Sequence, residues 1–218
     1  MPVTELEIPV SAEESVFGDL TVPDDAQGIV VFAHGSGSSR RSRRNRQVAN
    51  RLSERKLATL LVDLLTEQED VLDQGTRELR FDIGLLARRL TLAADDVTNR
   101  PSTAGLPLGF FGASTGAAAA LVAASEDRGR VRAVVSRGGR PDLAGGALPQ
   151  VSAPTLLIVG GHDLIVIDLN REAIDAMRCE RELIVVPDAT HLFEEPGALE
   201  RVAGLAGDWF ARHLRRPG

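Results

Sequence analysis

Residues 109–124 read GFFGASTGAAAALVAA, and the reading of that stretch decides the fold. An apolar run ends at Gly112, a serine stands between two glycines in Gly112-Ala113-Ser114-Thr115-Gly116, and an alanine-rich, helix-favouring segment follows. A chain that turns this sharply from strand to helix forces the residue at the tip into a strained backbone conformation. Only small residues two before and two after it let strand and helix come so close. The stretch therefore predicts a buried strand, a tight turn carrying Ser114, and a helix whose first amides point at whatever reacts there. The G-x-S-x-G pentapeptide alone is weak evidence. Its place between an apolar strand and a helix makes it informative.

The same grammar repeats outward in both directions. GIVVFAHG (28–35), ATLLVDLL (58–65), PLGFFGA (107–113), VRAVVS (131–136), PTLLIVGG (154–161) and ELIVVPDA (182–189) are short, mostly continuous apolar runs, as expected of strands covered on both faces. Between them, Ile83, Leu86, Leu90, Ala93 and Val97 step by three and four, as do Leu199, Val202, Ala206 and Trp209, marking amphipathic helices. Nearer the start, ELEIPV and SVFGDLTVP alternate and predict an antiparallel pair. Strands separated by helices must be joined by parallel crossovers. The expectation is one α/β domain over residues 1–218: three layers around a mainly parallel sheet of about eight strands, the first two antiparallel. RGGRPDLAGGALPQVSA (137–153) is too short to hold a helical cap domain, whereas Thr66 to Leu86 has the length to wall a pocket.

Composition narrows the setting. The apolar share of 43% suits a soluble globular chain, and a net charge of −6 argues against general nucleic-acid binding. MPVTELEIPV lacks a basic and apolar leader, no stretch has the length of a membrane span, and Cys179 stands alone, so a cytoplasmic protein with an inert thiol at a helix end is expected.

In such sheets ligands bind beyond the carboxyl ends of the strands. A serine hydroxyl needs a base to become a nucleophile, for which histidine is the usual choice. Of the four histidines, His213 falls in a solvated terminal helix, His162 reads as a surface neighbour, and His34 reads as holding the HGSG turn through hydrogen bonds. His191 follows the last strand and is the candidate base. A carboxylate must orient it, and strand-end position permits either Asp163 or Asp142; Asp188 lies too close in sequence. In HGSGSSR (34–40) the third glycine of a dinucleotide fingerprint is replaced by Arg40, and no phosphate loop is present, so no cofactor is expected. That turn can instead offer a backbone amide from Gly35, Ser36 or Gly37; with Ser36 as the donor, it pairs with the Thr115 amide to bind an oxyanion.

Arg40, Arg41, Arg43, Arg44 and Arg46 lie in a stretch that has no acidic residue between Asp25 and Glu54. Cations at a helix N-terminus oppose its dipole, at a cost of a few tenths of a kcal/mol each. The plain reading is a solvated helix face. The functional one is an anionic substrate group held by Arg40, Arg41 or Arg44.

With Ser114, an acid and His191 in that chain order, the sequence resembles the α/β-hydrolases over essentially its whole length. HGSGSSR, GASTG and DATHLF are similar to small dienelactone-hydrolase-like proteins. The resemblance favours Asp163 over Asp142 and implies a serine hydrolase of small esters or thioesters that needs no metal or organic cofactor. Dienelactone hydrolases proper carry a cysteine where this chain has Ser114, which sets the lactone substrate aside. Capture of the acyl-enzyme by another acceptor, and a non-catalytic binding protein on the same fold, are the alternatives.

Overall fold

The computed structural model describes residues 1–214; residues 215–218, the end of the domain expected over 1–218, lie outside the described residues. Its strands are β1 (Thr4–Pro9), β2 (Ser15–Thr21), β3 (Gly28–Ala33), β4 (Leu57–Val62), β5 (Leu108–Ala113), β6 (Val131–Arg137), β7 (Thr155–Gly160) and β8 (Arg181–Val186). They form one sheet in the order β1-β2-β4-β3-β5-β6-β7-β8. Only β1 with β2 and β2 with β4 pair antiparallel. Each expected strand is present, with ends shifted by a few residues because apolar character continues into the loops.

The helices are α1 (Arg43–Glu54), α2 (Glu67–Thr76), α3 (Ile83–Thr98), α4 (Thr115–Glu126), α5 (Leu164–Ala176) and α6 (Ala198–His213). Successive strand residues point to opposite faces. Ile29, Val31 and Ala33 pack with α3 and α4, whereas Val30 and Phe32 pack with α1 and α6, where Phe32 meets Phe111 at a ring distance of 4.7 Å. Leu86, Leu90 and Val97 of the α3 stripe are buried, each contributing about 1.5–3 kcal/mol. The alanines of α4 are buried all round, because this helix lies on β3, β5 and β6 and is also packed against α3 and the helical turns of Pro141–Gln150. No helix among the described residues is long and apolar enough to cross a membrane.

Two features fix where a site can form. The chain leaves β3 for β4 on one side, then passes back over to β5 on the other, so a crevice opens at the carboxyl ends of β3 and β5. The segment from Thr66 onward is the helix α2 and a 3-10 turn at Leu79–Phe81. Its helix has no apolar stripe, and only Asp73 is buried. What starts it is a capping box: the Thr66 hydroxyl accepts from the Glu69 amide at 3.2 Å, and the Glu69 carboxylate accepts from the Thr66 amide at 2.8 Å.

Candidate active site

Ser114 stands at the N-terminus of α4 with φ 51° and ψ −121°, a left-handed conformation costing about 1–3 kcal/mol in a non-glycine residue. The surroundings hold it there. Its amide donates to the Arg137 carbonyl at 3.3 Å, and its carbonyl accepts from the amides of Ala117 and Arg140, both at 3.1 Å. A Cβ on Gly112 would sit 2.3 Å from the Ala117 Cα, and one on Gly116 would sit 2.4 Å from the carbonyl oxygens of Ala33 and His34. Both glycines are therefore required by close backbone approach.

The loop after β3 closes against this turn, since a Cβ on Gly35 would meet the Ser114 Cβ at 3.1 Å. His34 is buried and bridges two loops: Nδ1–H donates to the Gly35 carbonyl at 2.9 Å, and Nε2 accepts from the Leu64 amide at 3.1 Å. That pattern requires the neutral ring. Burial pushes its pKa below the ordinary value, against the opposing pull of the Gly35 hydrogen bond and of Asp63 and Asp70. Ser36 and Thr115 border the same cavity of about 10 Å³, together with Leu65, Asp70, Asp73 and Arg80. Such a volume holds about one oxygen-sized group.

His191 Nδ1 donates to Asp163 Oδ2 at 2.6 Å, both side chains being partly buried. The ends of β7 and β8 meet closely enough for this because Gly160 lacks a Cβ, which would lie 2.5 Å from the carbonyls of Ala189 and Thr190. The ring lies over Gly138, where a Cβ would be 3.6 Å from His191 Cε1. Asp142 instead receives two hydrogen bonds from Arg140, at 2.9 and 2.7 Å. His162 lies 3.8 Å from the exposed Asp188, and the His213 ring meets Trp209 at 4.6 Å with the planes tilted by 53°. Among the described residues no three His, Cys, Asp or Glu side chains converge as a metal site would require.

The arginines divide. Arg40 is a structural hub whose guanidinium bonds Asp63 at 2.6 Å, Glu5 at 2.6 Å and Asp19 at 3.1 Å, which engages three of its five N–H groups and commits its charge to these carboxylates. Arg44 pairs with Glu194 at 2.8 Å, three residues beyond His191. Arg41 borders two open cavities of about 260 and 640 Å³ flanking the HGSG loop and has no ion pair among the described residues. Three charged side chains near the site, Asp73, Arg80 and Arg137, carry no role in the sequence reading. Buried Asp73 is clamped by Arg80, which donates from Nε at 2.5 Å, and the other end of that guanidinium approaches Gly37. The Arg137 guanidinium is buried and, among the described residues, makes one hydrogen bond, to Asn45 Oδ1 at 3.2 Å. An arginine ending an apolar strand was the available signal for it.

A central parallel sheet with a strained serine turn after β5 and a carboxylate–histidine pair after β7 and β8 is the architecture of the α/β-hydrolases. Residues 17–212 match the dienelactone hydrolase family, and the chain belongs to that family. It is similar to a dienelactone hydrolase from Anabaena variabilis, whose crystal structure shares 56% identity and a TM-score of 0.95, covering 98% of this chain and 99% of that one. Est1E from Butyrivibrio proteoclasticus has the same fold, with a TM-score of 0.80 at 14% identity over 96% of this chain and 98% of its own. Two strains of Mycobacterium tuberculosis have relatives 57% identical over all 218 residues, provisionally named phosphoribosyl transferases. The chain spans about half of their length, 48%.

Proposed function

We propose that the chain is a serine hydrolase of a small carboxylic ester or thioester. Ser114 Oγ attacks the carbonyl carbon, His191 accepts the hydroxyl proton at Nε2 and passes it to the leaving group, and Asp163 holds the ring through Nδ1. The amides of Ser36 and Thr115 receive the oxyanion in the small cavity they share. Water then attacks the acyl-enzyme, with His191 again taking the proton. The observation that carries this reading is the Asp163-bonded ring of His191 lying on Gly138, next to the residue whose carbonyl holds the Ser114 amide.

Labelling with a fluorophosphonate, followed by intact-mass analysis, tests it. The expected result is one adduct, lost in Ser114→Ala together with at least about 10⁴-fold of the hydrolysis of an activated acetate ester. Asp163→Asn should lower kcat by about 10³–10⁴ and Asp142→Asn by less than about tenfold. No adduct and no hydrolysis would overturn the reading, and a larger loss in Asp142→Asn would move the acid. We assign the transferase name of the longer relatives to the half that this chain does not span, because the family match fills residues 17–212. Release of pyrophosphate from phosphoribosyl diphosphate by this chain would reverse that assignment.

A further inference from the structure

The segments that follow β6, β7 and β8 carry exposed apolar residues. Ile165 is 77% exposed and Leu164 69%, and these are the first two residues after Asp163. Leu192, directly after His191, and Leu143, in the helical turns of Pro141–Gln150, are also exposed. The Asp163–His191 bond joins the two loops that carry the first three, and the Arg140 amide that holds the Ser114 carbonyl starts the turns that carry the fourth. Across the site, the cavity beside the β3 and β4 loops mixes Phe17 and Leu65 with Ser38, Arg41, Asp63 and Asp70. Apolar side chains grouped on a surface beside a reactive centre mark something that covers them.

Position relative to the histidine says what. With Nδ1 committed to Asp163, only Nε2 is free to protonate the departing oxygen, so the leaving group must lie on the His191 side. When the Ser114 Oγ–carbon bond forms and the carbon–oxygen bond of the ester breaks, that proton goes to the alcohol oxygen, and the alcohol departs over this rim. We propose that Leu143, Leu164, Ile165 and Leu192 form a leaving-group subsite, and that the natural substrate is an ester of an apolar alcohol. The proposal rests on the catalytic reading above.

The test compares n-alkyl acetates from propyl to heptyl, whose alcohols have nearly the same acidity, with methyl esters from propanoate to heptanoate. Full burial of a methylene is worth about fourfold, so an open rim that covers half of it gives about twofold per carbon, on the order of tenfold across the alcohol series. The acyl series should rise less. Ile165→Ser and Leu164→Ser should flatten the alcohol series, and Leu92→Ser, on the outer face of α3, should leave its slope intact. A flat alcohol series in the unaltered chain, an unchanged slope in both rim variants, or a shift in oligomeric state caused by them would overturn the subsite while acetate hydrolysis and the Ser114 adduct persist. Loss of those two results in the unaltered chain would instead overturn the catalytic reading beneath it.

Discussion

Arg40 and Arg137 are equally withdrawn from solvent, at 8% and 7% exposure, yet their surroundings are opposite. Burial works against the charge of Arg40, but the hydrogen bond and charge of Asp63, joined by Asp19 and Glu5, more than offset it and raise its pKa above the ordinary value. Arg137 has no carboxylate partner among the described residues. Burial, reinforced by the like charge of Arg44, lowers it to about 10, and its Nε has no acceptor among the described residues. The first arginine ties three elements of the sheet edge together at the foot of the HGSG loop. The second lies behind the serine turn and the His191 loop, where a bare cation is a poor structural tie. Burial of a charged residue thus says little until its partners are known.

The comparison breaks most sharply at Arg40. Arg40→Met takes the guanidinium from three carboxylates, leaving Asp19 to Arg46 and Asp63 to the backbone amide of residue 40, and should lower stability by about 3 kcal/mol, measured as the urea midpoint at constant slope. A loss below about 1 kcal/mol would show that solvent at Glu5 and Asp63 already relieves those charges.

His34 is buried near one of those carboxylates, Asp63, and escapes the problem of Arg137 by being neutral. Its pKa is depressed in the folded chain, so below its ordinary value of 6.5 the unfolded ring binds a proton that the folded ring refuses. Stability should therefore fall with pH below about 6.5, by up to about 1.4 kcal/mol per unit, and His34→Gln should remove that part of the slope. An identical slope in the variant would place the titration elsewhere.

The smallest effect is expected at Arg137. Arg137→Met removes an unpaired buried cation while leaving the Asn45 oxygen without its donor, so stability should stay within about 1 kcal/mol of the original or rise slightly. A loss as large as that of Arg40→Met would erase the distinction between the two sites.

Most of the fold is legible in the sequence because the parallel strands are covered on both faces and read as continuous apolar runs. The strand ends that carry Ser114, Asp163 and His191 follow from the same pattern. α2 escapes because Val71 and Leu72 face solvent and no stripe forms, although Thr66 and Glu69 stand at capping-box spacing. The arginine cluster cannot be sorted from sequence for a different reason. The partners of Arg40 lie on or just beyond β1, β2 and β4, and Arg137 meets Asn45 from 92 residues away, so only the folded sheet separates a hub from a solvated side chain.

Gly116 approaches the carbonyls of Ala33 and His34 so closely that the serine turn is packed directly on the end of β3, with no room for water between them. Local fraying is therefore denied to the residue whose backbone is most strained. The Ser114 amide should exchange with deuterium only when the whole sheet unfolds, as slowly as amides in the middle of β5.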